Sequence, residues 1–338
     1  MKRRRSFAAL LLLVVFAALK GGDAAQQDLK LEDPPWIQDV ATQRIVYALP
    51  GMEKIRARKD VTYKRVADVE LKMDIYDPPN QRRGARRPAV VFIHGGALPP
   101  NLRTKPKEWG AYVSYGQLAA ASGLVGITFN HRFYGWDKKS LTDASNDVAD
   151  AISFIRSNAD RFGIDKDRLC LWGLSAGSLF LGPAIRDAPS FVRCLVFYYA
   201  IMDLEPLRKE RPAITDDSVR EYSPLYYLEA AGETFAPIFI ARAGRDEPGL
   251  NVAVDRFIQQ ALSRKAALDF SNHAEGQHGF DVLDDNDRTR EIIRRTLEFI
   301  KEQVRNAHQS FNRRLDLKLF MRYREGAALD CLLEPEEP

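Results

Sequence analysis

The sequence predicts an α/β protein with a mostly parallel central sheet, helices on both faces and an N-terminal antiparallel hairpin. From about residue 88, short apolar runs alternate with longer segments of helical periodicity, as in parallel sheets with helical crossovers. The apolar runs are continuous, which is typical of strands buried on both faces. Residues 61–77 instead alternate polar and apolar side chains, which predicts a half-exposed hairpin.

The N-terminus predicts export. Residues 1–24 combine a basic start with an apolar run at 7–19, followed by small residues. That run is shorter than the roughly 20 residues that span a bilayer, so we interpret it as a signal peptide cleaved after Ala24. Ala17 and Ala25 are alternative cleavage positions, and an uncleaved membrane anchor is the alternative interpretation. We expect a secreted or periplasmic protein with no stable membrane span after cleavage.

The net positive charge of the chain comes from residues 1–24. The full sequence of 338 residues has a formal net charge of +4. Removing residues 1–24 takes away five basic residues and one acid, and leaves 45 of each. A nucleic-acid partner is therefore not expected.

The three cysteines lack the spacing of a zinc site, so no metal is expected. Cys170 and Cys194 lie in apolar runs, where free thiols behave as small hydrophobic side chains, and we expect no disulfide framework.

The elements follow one another through one predicted domain at 58–310, after a lead-in at 25–57. Residues 203–235 are charged and contain proline, and are a candidate cap insertion. Residues 311–338 form a C-terminal extension in which alternating apolar residues suggest an added edge strand. Strands are predicted at 88–93, 124–130, 169–174, 192–200, 237–243 and 268–271, and helices at 108–122, 141–162, 176–186, 250–265 and 289–304.

A glycine-flanked serine marks the first candidate site residue. Ser175 stands in Gly173-Leu174-Ser175-Ala176-Gly177, after a buried strand and at the start of a helix. This strand–turn–helix setting is that of a nucleophile elbow, in which glycines allow a very tight turn. The alternative is a helix-capping serine with glycines beside it by chance.

A serine hydroxyl needs a base to act as a nucleophile, and in this arrangement an acid and then a histidine follow the serine in the chain. His278 lies in a glycine-flanked loop between the last strand and the last helix and is the preferred base; His273 is the alternative. Asp246 directly follows the strand at 237–243 and is the preferred acid. Asp203 and Glu247 compete with it.

Backbone donors for a developing oxyanion are predicted from two places. His94-Gly95-Gly96 follows the strand at 88–93, and its glycines let the backbone approach a substrate carbonyl. We expect the Gly95, Gly96 and Ala176 amides to donate, and His94 to brace the loop rather than react.

The four ordered motifs at 94–96, 173–177, 244–246 and 278–280 together resemble the esterase and lipase branch of the α/β hydrolases. The nearest members are hormone-sensitive-lipase-like and feruloyl- or acetyl-esterase-like, and the resemblance covers roughly residues 58–305. It implies an α/β-hydrolase fold and hydrolysis of small-molecule carboxylic esters through an acyl-enzyme, without cofactor or metal. The chain departs from the pattern at Ala97, where many members have a third glycine. A small serine peptidase or amidase and a non-catalytic binding protein are the alternatives, and the oligomeric state stays open.

Overall fold

A single eight-stranded sheet organises the chain, in the order β1-β2-β4-β3-β5-β6-β7-β8. The computed structural model describes residues 35–79 and 84–305, so the predicted signal peptide at 1–24 and extension at 311–338 lie outside the described residues. The strands are β1 Ala57–Val66, β2 Val69–Tyr76, β3 Arg87–Ile93, β4 Val125–Phe129, β5 Ile164–Leu174, β6 Val192–Tyr198, β7 Ile238–Ala243 and β8 Leu268–His273.

The sheet is antiparallel only at its N-terminal end. Strand β1 pairs with β2, and β2 with β4, in antiparallel register. All the pairings from β4 through β3 to β8 are parallel. The predicted fold class is therefore confirmed, and the carboxyl ends of β3, β5, β7 and β8 meet at one edge of the sheet.

Helices cover both faces of the sheet and enclose two apolar cores. The helix predicted at 141–162 is divided at Asn158, whose side-chain amide donates to the Phe154 carbonyl at 2.9 Å and competes with the backbone there. The helices are α1 Pro35–Thr42, α2 Gly110–Ala121, α3 Lys138–Ser157, α4 Ala159–Phe162, α5 Gly182–Asp187, α6 Asp216–Tyr222, α7 Pro224–Ala230, α8 Pro248–Ser263, α9 Phe280–Leu283 and α10 at 287–305. None of the helices in the described ranges has both the length and the apolar character to cross a bilayer.

The candidate cap insertion is helical and packs on the domain. It contains α6 and α7, which follow a short 3₁₀ turn at Glu205–Leu207. The Leu225 amide donates to the Met202 carbonyl at 3.0 Å, and Leu228 is fully buried. The insertion is thus anchored to the loop that follows β6.

The expectation of free thiols at Cys170 and Cys194 was wrong, because the two residues form a disulfide. They face each other on the parallel strands β5 and β6, with their Cα atoms 4.9 Å apart, within the range that a disulfide spans. Both are fully buried. Apolar runs located the two strands in the sequence but did not give their mutual register, and the register brings the sulfurs together.

The lead-in packs against the domain. Ile37, Ile45 and Met52 are buried in the same core as α2 and α10. The Val46 amide donates to the carbonyl of Asp281 in α9 at 2.8 Å. The lead-in therefore reaches the back of the turn that carries the predicted base His278.

Candidate active site

Ser175 stands at a strained turn between β5 and the 3₁₀ helix Ser175–Leu181. Its φ of 53° lies in the left-handed region, which costs free energy for a residue with a side chain. A Cβ at Gly177 would collide with the Ile93 carbonyl, and one at Gly173 would approach the Ser178 Cα to 2.9 Å. The turn therefore needs glycine on both sides of the serine.

Ser178 supports this turn from inside the protein. Its fully buried hydroxyl oxygen lies 2.6 Å from the Ser175 carbonyl oxygen and 2.9 Å from that of Ile201. It also accepts the Ile201 amide at 3.0 Å. These contacts tie the strained turn to the loop after β6. Sequence reasoning missed Ser178; its position three residues after the serine, inside the first helical turn, is the signal that was available.

His278 lies beside Ser175. Its Nε2 is 2.8 Å from the Ser175 Oγ, and its Nδ1 is 2.7 Å from the Asp246 Oδ2. The loop between β8 and α9 brings it there, with Gly279 in a left-handed conformation at φ 77°. Burial of the imidazole opposes its protonation, but the Asp246 and Asp281 carboxylates outweigh this effect, so the pKa of His278 is raised.

Asp246 is fixed where β7 ends. Its Oδ1 accepts the Glu247 amide at 2.9 Å, which leaves Oδ2 for the imidazole. The competing Asp203 instead accepts the Glu205 amide at 2.9 Å in the insertion. The alternative base His273 lies 3.0 Å from the Thr289 hydroxyl, in a buried pair. The structure thus joins Ser175, His278 and Asp246 in one chain of hydrogen bonds.

The two predicted donor segments lie against each other. A Cβ at Gly95 would come within 2.8 Å of the Ser175 Cβ and 3.0 Å of the Ala176 nitrogen. Gly96 has a φ of 80°, a conformation that favours glycine. The Ala176 amide belongs to the first turn of its helix and has no acceptor within it. The Gly95 backbone also hydrogen-bonds the buried Tyr112 hydroxyl.

His94 lies under this loop and stacks on His131, with ring centroids 3.7 Å apart. The His131 Nε2 is 3.1 Å from the His94 carbonyl oxygen. Burial lowers the pKa of His94 to about 4 and lowers that of His131 well below its usual value. Both rings therefore stay neutral at neutral pH, and they pack beneath the glycine loop. His131 was not anticipated from the sequence, although it lies two residues after β4 at the same sheet edge.

Comparison with known proteins adds to this geometry. A family model described as BD-FAE matches residues 73–181. Gut esterase 1 of Caenorhabditis elegans is 27% identical over 52% of this chain and 32% of that protein. Carboxylesterase 3B of Mus musculus is 27% identical over 46% of this chain and 27% of that protein. The chain spans about a third or less of the length of these curated relatives.

Solved structures share the architecture over nearly their whole length. Est2, a thermophilic esterase of Thermogutta terrifontis, has a TM-score of 0.59 and 19% identity, covering 75% of this chain and 94% of that one. Its apo form has a TM-score of 0.58 and 20% identity. The sheet order, the serine-bearing turn after β5 and these matches lead to one assignment. The chain has the α/β-hydrolase fold that these esterases share.

Proposed function

We propose that this protein is an exported serine carboxylesterase, with Ser175 as nucleophile, His278 as general base and Asp246 as its partner. The observation that carries the proposal is the continuous hydrogen-bond chain from the Ser175 Oγ through the imidazole to the Asp246 carboxylate. This arrangement is the one that activates a serine for acyl transfer. The curated relatives named as esterases support a carboxylic ester as the substrate.

The proposed reaction has two acyl-transfer steps. His278 Nε2 takes the Ser175 proton as Oγ attacks the ester carbonyl carbon, and Asp246 stabilises the imidazolium that forms. The carbonyl oxygen becomes negative and accepts hydrogen bonds from the Gly96 and Ala176 amides. Gly95, predicted as a third donor, interacts through its backbone with the Tyr112 hydroxyl instead. The imidazolium then gives its proton to the departing alcohol, leaving an acyl-enzyme. Water, deprotonated by His278, releases the acid and restores Ser175.

Export of the protein is part of the proposal. The predicted signal peptide at 1–24 supports it, because it has the basic start and the short apolar run of such segments. The buried disulfide between Cys170 and Cys194 also supports it, since such bonds persist in oxidising compartments and are rare in the cytosol.

The experiment that tests the activity is a pre-steady-state assay with p-nitrophenyl acetate. We expect a burst of p-nitrophenol equal to the enzyme concentration, because acylation releases the phenol before water frees the enzyme. Ser175→Ala should abolish the burst and labelling by a fluorophosphonate. Ser190→Ala, at an exposed serine, is the matched control and should keep both.

Other outcomes of this assay would redirect the proposal. Cleavage of anilides or peptides, with no turnover of short-acyl or aryl esters, would replace the esterase with an amidase on the same residues. Equal rates for the wild type and Ser175→Ala would reject the nucleophile.

A further inference from the structure

Asp281 is a buried carboxylic acid that the proposed mechanism does not use. It lies in α9, three residues after His278, and its exposed fraction is 0%. The Tyr115 hydroxyl donates to its Oδ2 at 2.6 Å, and the Tyr199 hydroxyl also interacts with the carboxylate. Within residues 35–79 and 84–305, its Oδ1 has no hydrogen-bond partner. Burying a carboxyl group in this way costs free energy, and a functional role of Asp281 would explain why this cost is tolerated.

Asp281 and His278 share one neighbour, Tyr199. The Tyr199 ring centroid is 4.7 Å from that of the His278 imidazole. Tyr199 directly follows β6 and has a φ of 37°, in the left-handed region, so its surroundings must hold it there. Its amide donates to the Ala241 carbonyl at 2.9 Å, and its ring meets Phe280 edge-on. The tyrosine therefore contacts both the carboxylate and the imidazole.

The ionisable groups around His278 come from several elements. Asp246 reaches it from the loop after β7, and Asp281 from α9. Beyond Asp246 lies Glu247, whose carboxyl pKa is raised by burial and by neighbouring carboxylates, while Arg211 opposes that rise.

Asp281 has its own surroundings. Burial raises the pKa of its carboxyl group, while the Tyr115 and Tyr199 hydroxyls and the His278 charge lower it. The carboxylate is therefore most stable when the imidazole is protonated.

We propose that Asp281 is a positioning residue for His278: its carboxylate, held by Tyr115 and Tyr199, stabilises the imidazolium together with Asp246 and keeps the Tyr199 ring against the imidazole. This inference rests on the proposed function. It assigns two carboxylates to one imidazole: Asp246 binds the ring directly, and Asp281 attracts the imidazolium electrostatically within a buried, weakly screening environment.

The test is the pH dependence of kcat/KM for p-nitrophenyl acetate in the Asp281→Asn variant. Removal of a nearby negative charge destabilises the imidazolium, so the acidic limb should move to lower pH by about one unit. The maximum of kcat/KM should fall about tenfold, since the transition state carries the imidazolium charge. Enzyme returned from each acidic pH to neutral pH must recover its activity, which separates titration from unfolding.

Tyr115→Phe is the second variant and keeps the carboxyl group while removing one donor to it. Without this donor the Asp281 carboxylate is harder to form. The acidic limb of kcat/KM should therefore also move to lower pH, but by less than in Asp281→Asn. Tyr198→Phe is the matched control. It removes a buried tyrosine hydroxyl that pairs with Thr296 at 2.7 Å, and the limb should stay in place.

Coincident acidic limbs for the wild type, Asp281→Asn and Tyr115→Phe would overturn the inference, whatever happens to thermal stability. If Asp281→Asn does not fold, Tyr115→Phe against Tyr198→Phe decides the question alone. Failure of the proposed function would give a different result: Ser175→Ala would then hydrolyse the ester as fast as the wild type.

Discussion

At the scale of single residues, the backbone of Ser175 is strained, and neighbouring residues hold it in that conformation. Ser175 occupies a left-handed conformation that costs roughly 1–3 kcal/mol, and this persists only where the surroundings fix it. The Ser178 hydroxyl and the two flanking glycines provide that support from below. The serine hydroxyl is left facing the His278 Nε2. The conformation of Ser175 therefore depends on Ser178 and on the flanking glycines.

The raised pKa of His278 leads to a prediction on pH dependence. The proposed base acts in its neutral form, so activity is present above its pKa and is lost as the pH falls through it. We expect the acidic limb of kcat/KM to have its midpoint above 6.5, the ordinary value for this group. In Asp246→Asn, the limb should move to lower pH, and kcat should fall by about 10³-fold or more because the imidazole loses its orienting partner.

Glu247→Gln is the control for this variant. It removes the adjacent carboxyl group, which makes no hydrogen bond to the imidazole, and should leave kcat within about threefold of the wild type. Loss of kcat in Glu247→Gln with an active Asp246→Asn would reassign the acid.

At the scale of elements, the described part of the lead-in, residues 35–57, contacts the loop that carries His278. The Val46 amide is bonded to the carbonyl of Asp281, in the first turn of α9. Buried residues of the lead-in fill the core between α2 and α10. The glycine-flanked turn at 276–279 is thus held on one side by the sheet and on the other by the lead-in. We therefore expect the lead-in to stabilise the position of His278 as well as the core.

Val46→Pro tests this role because proline removes the amide hydrogen. Loss of one buried hydrogen bond should lower the stability by about 1–2 kcal/mol and shift Tm by a few degrees. We expect kcat/KM to fall about tenfold, since a small displacement of the base slows acyl transfer. Val46→Ala keeps the amide and trims the half-buried side chain. Equal kcat/KM in the two variants would show that the amide bond does not position the base.

The parallel sheet, the N-terminal hairpin and the positions of the candidate site residues in the chain could be predicted from the sequence, because these features depend on local signals. Continuous apolar runs marked the parallel strands, and glycines marked the turns around Ser175 and His278. The supports of the site were not visible, because their partners are distant in the chain: Tyr115 is 166 residues from Asp281, and Ser178 is 23 from Ile201. Such pairs follow from the packing of α2 and the loops, which periodicity does not specify.

At the scale of the whole molecule, export and the disulfide can be measured together. Protein recovered from the medium or periplasm should begin at Ala25, and its intact mass should be lower than that of the reduced chain by two hydrogens. A proteolytic peptide joining Cys170 to Cys194 should appear only without reductant. A cytoplasmic protein that keeps Met1 and has three alkylatable thiols would contradict both the proposed export and the bond.

The disulfide between Cys170 and Cys194 also indicates whether β5 and β6 have paired in the native register. The two sulfurs meet because β5 and β6 align in one register, and a slip by one residue would turn one of them to the opposite face. Chains that mispair these strands would keep both thiols reduced even in an oxidising medium. Cys331 adds one reactive thiol to every chain, so the thiols above one per chain, titrated with a maleimide under denaturing conditions, would give the misassembled fraction of a purified batch without any assay of turnover.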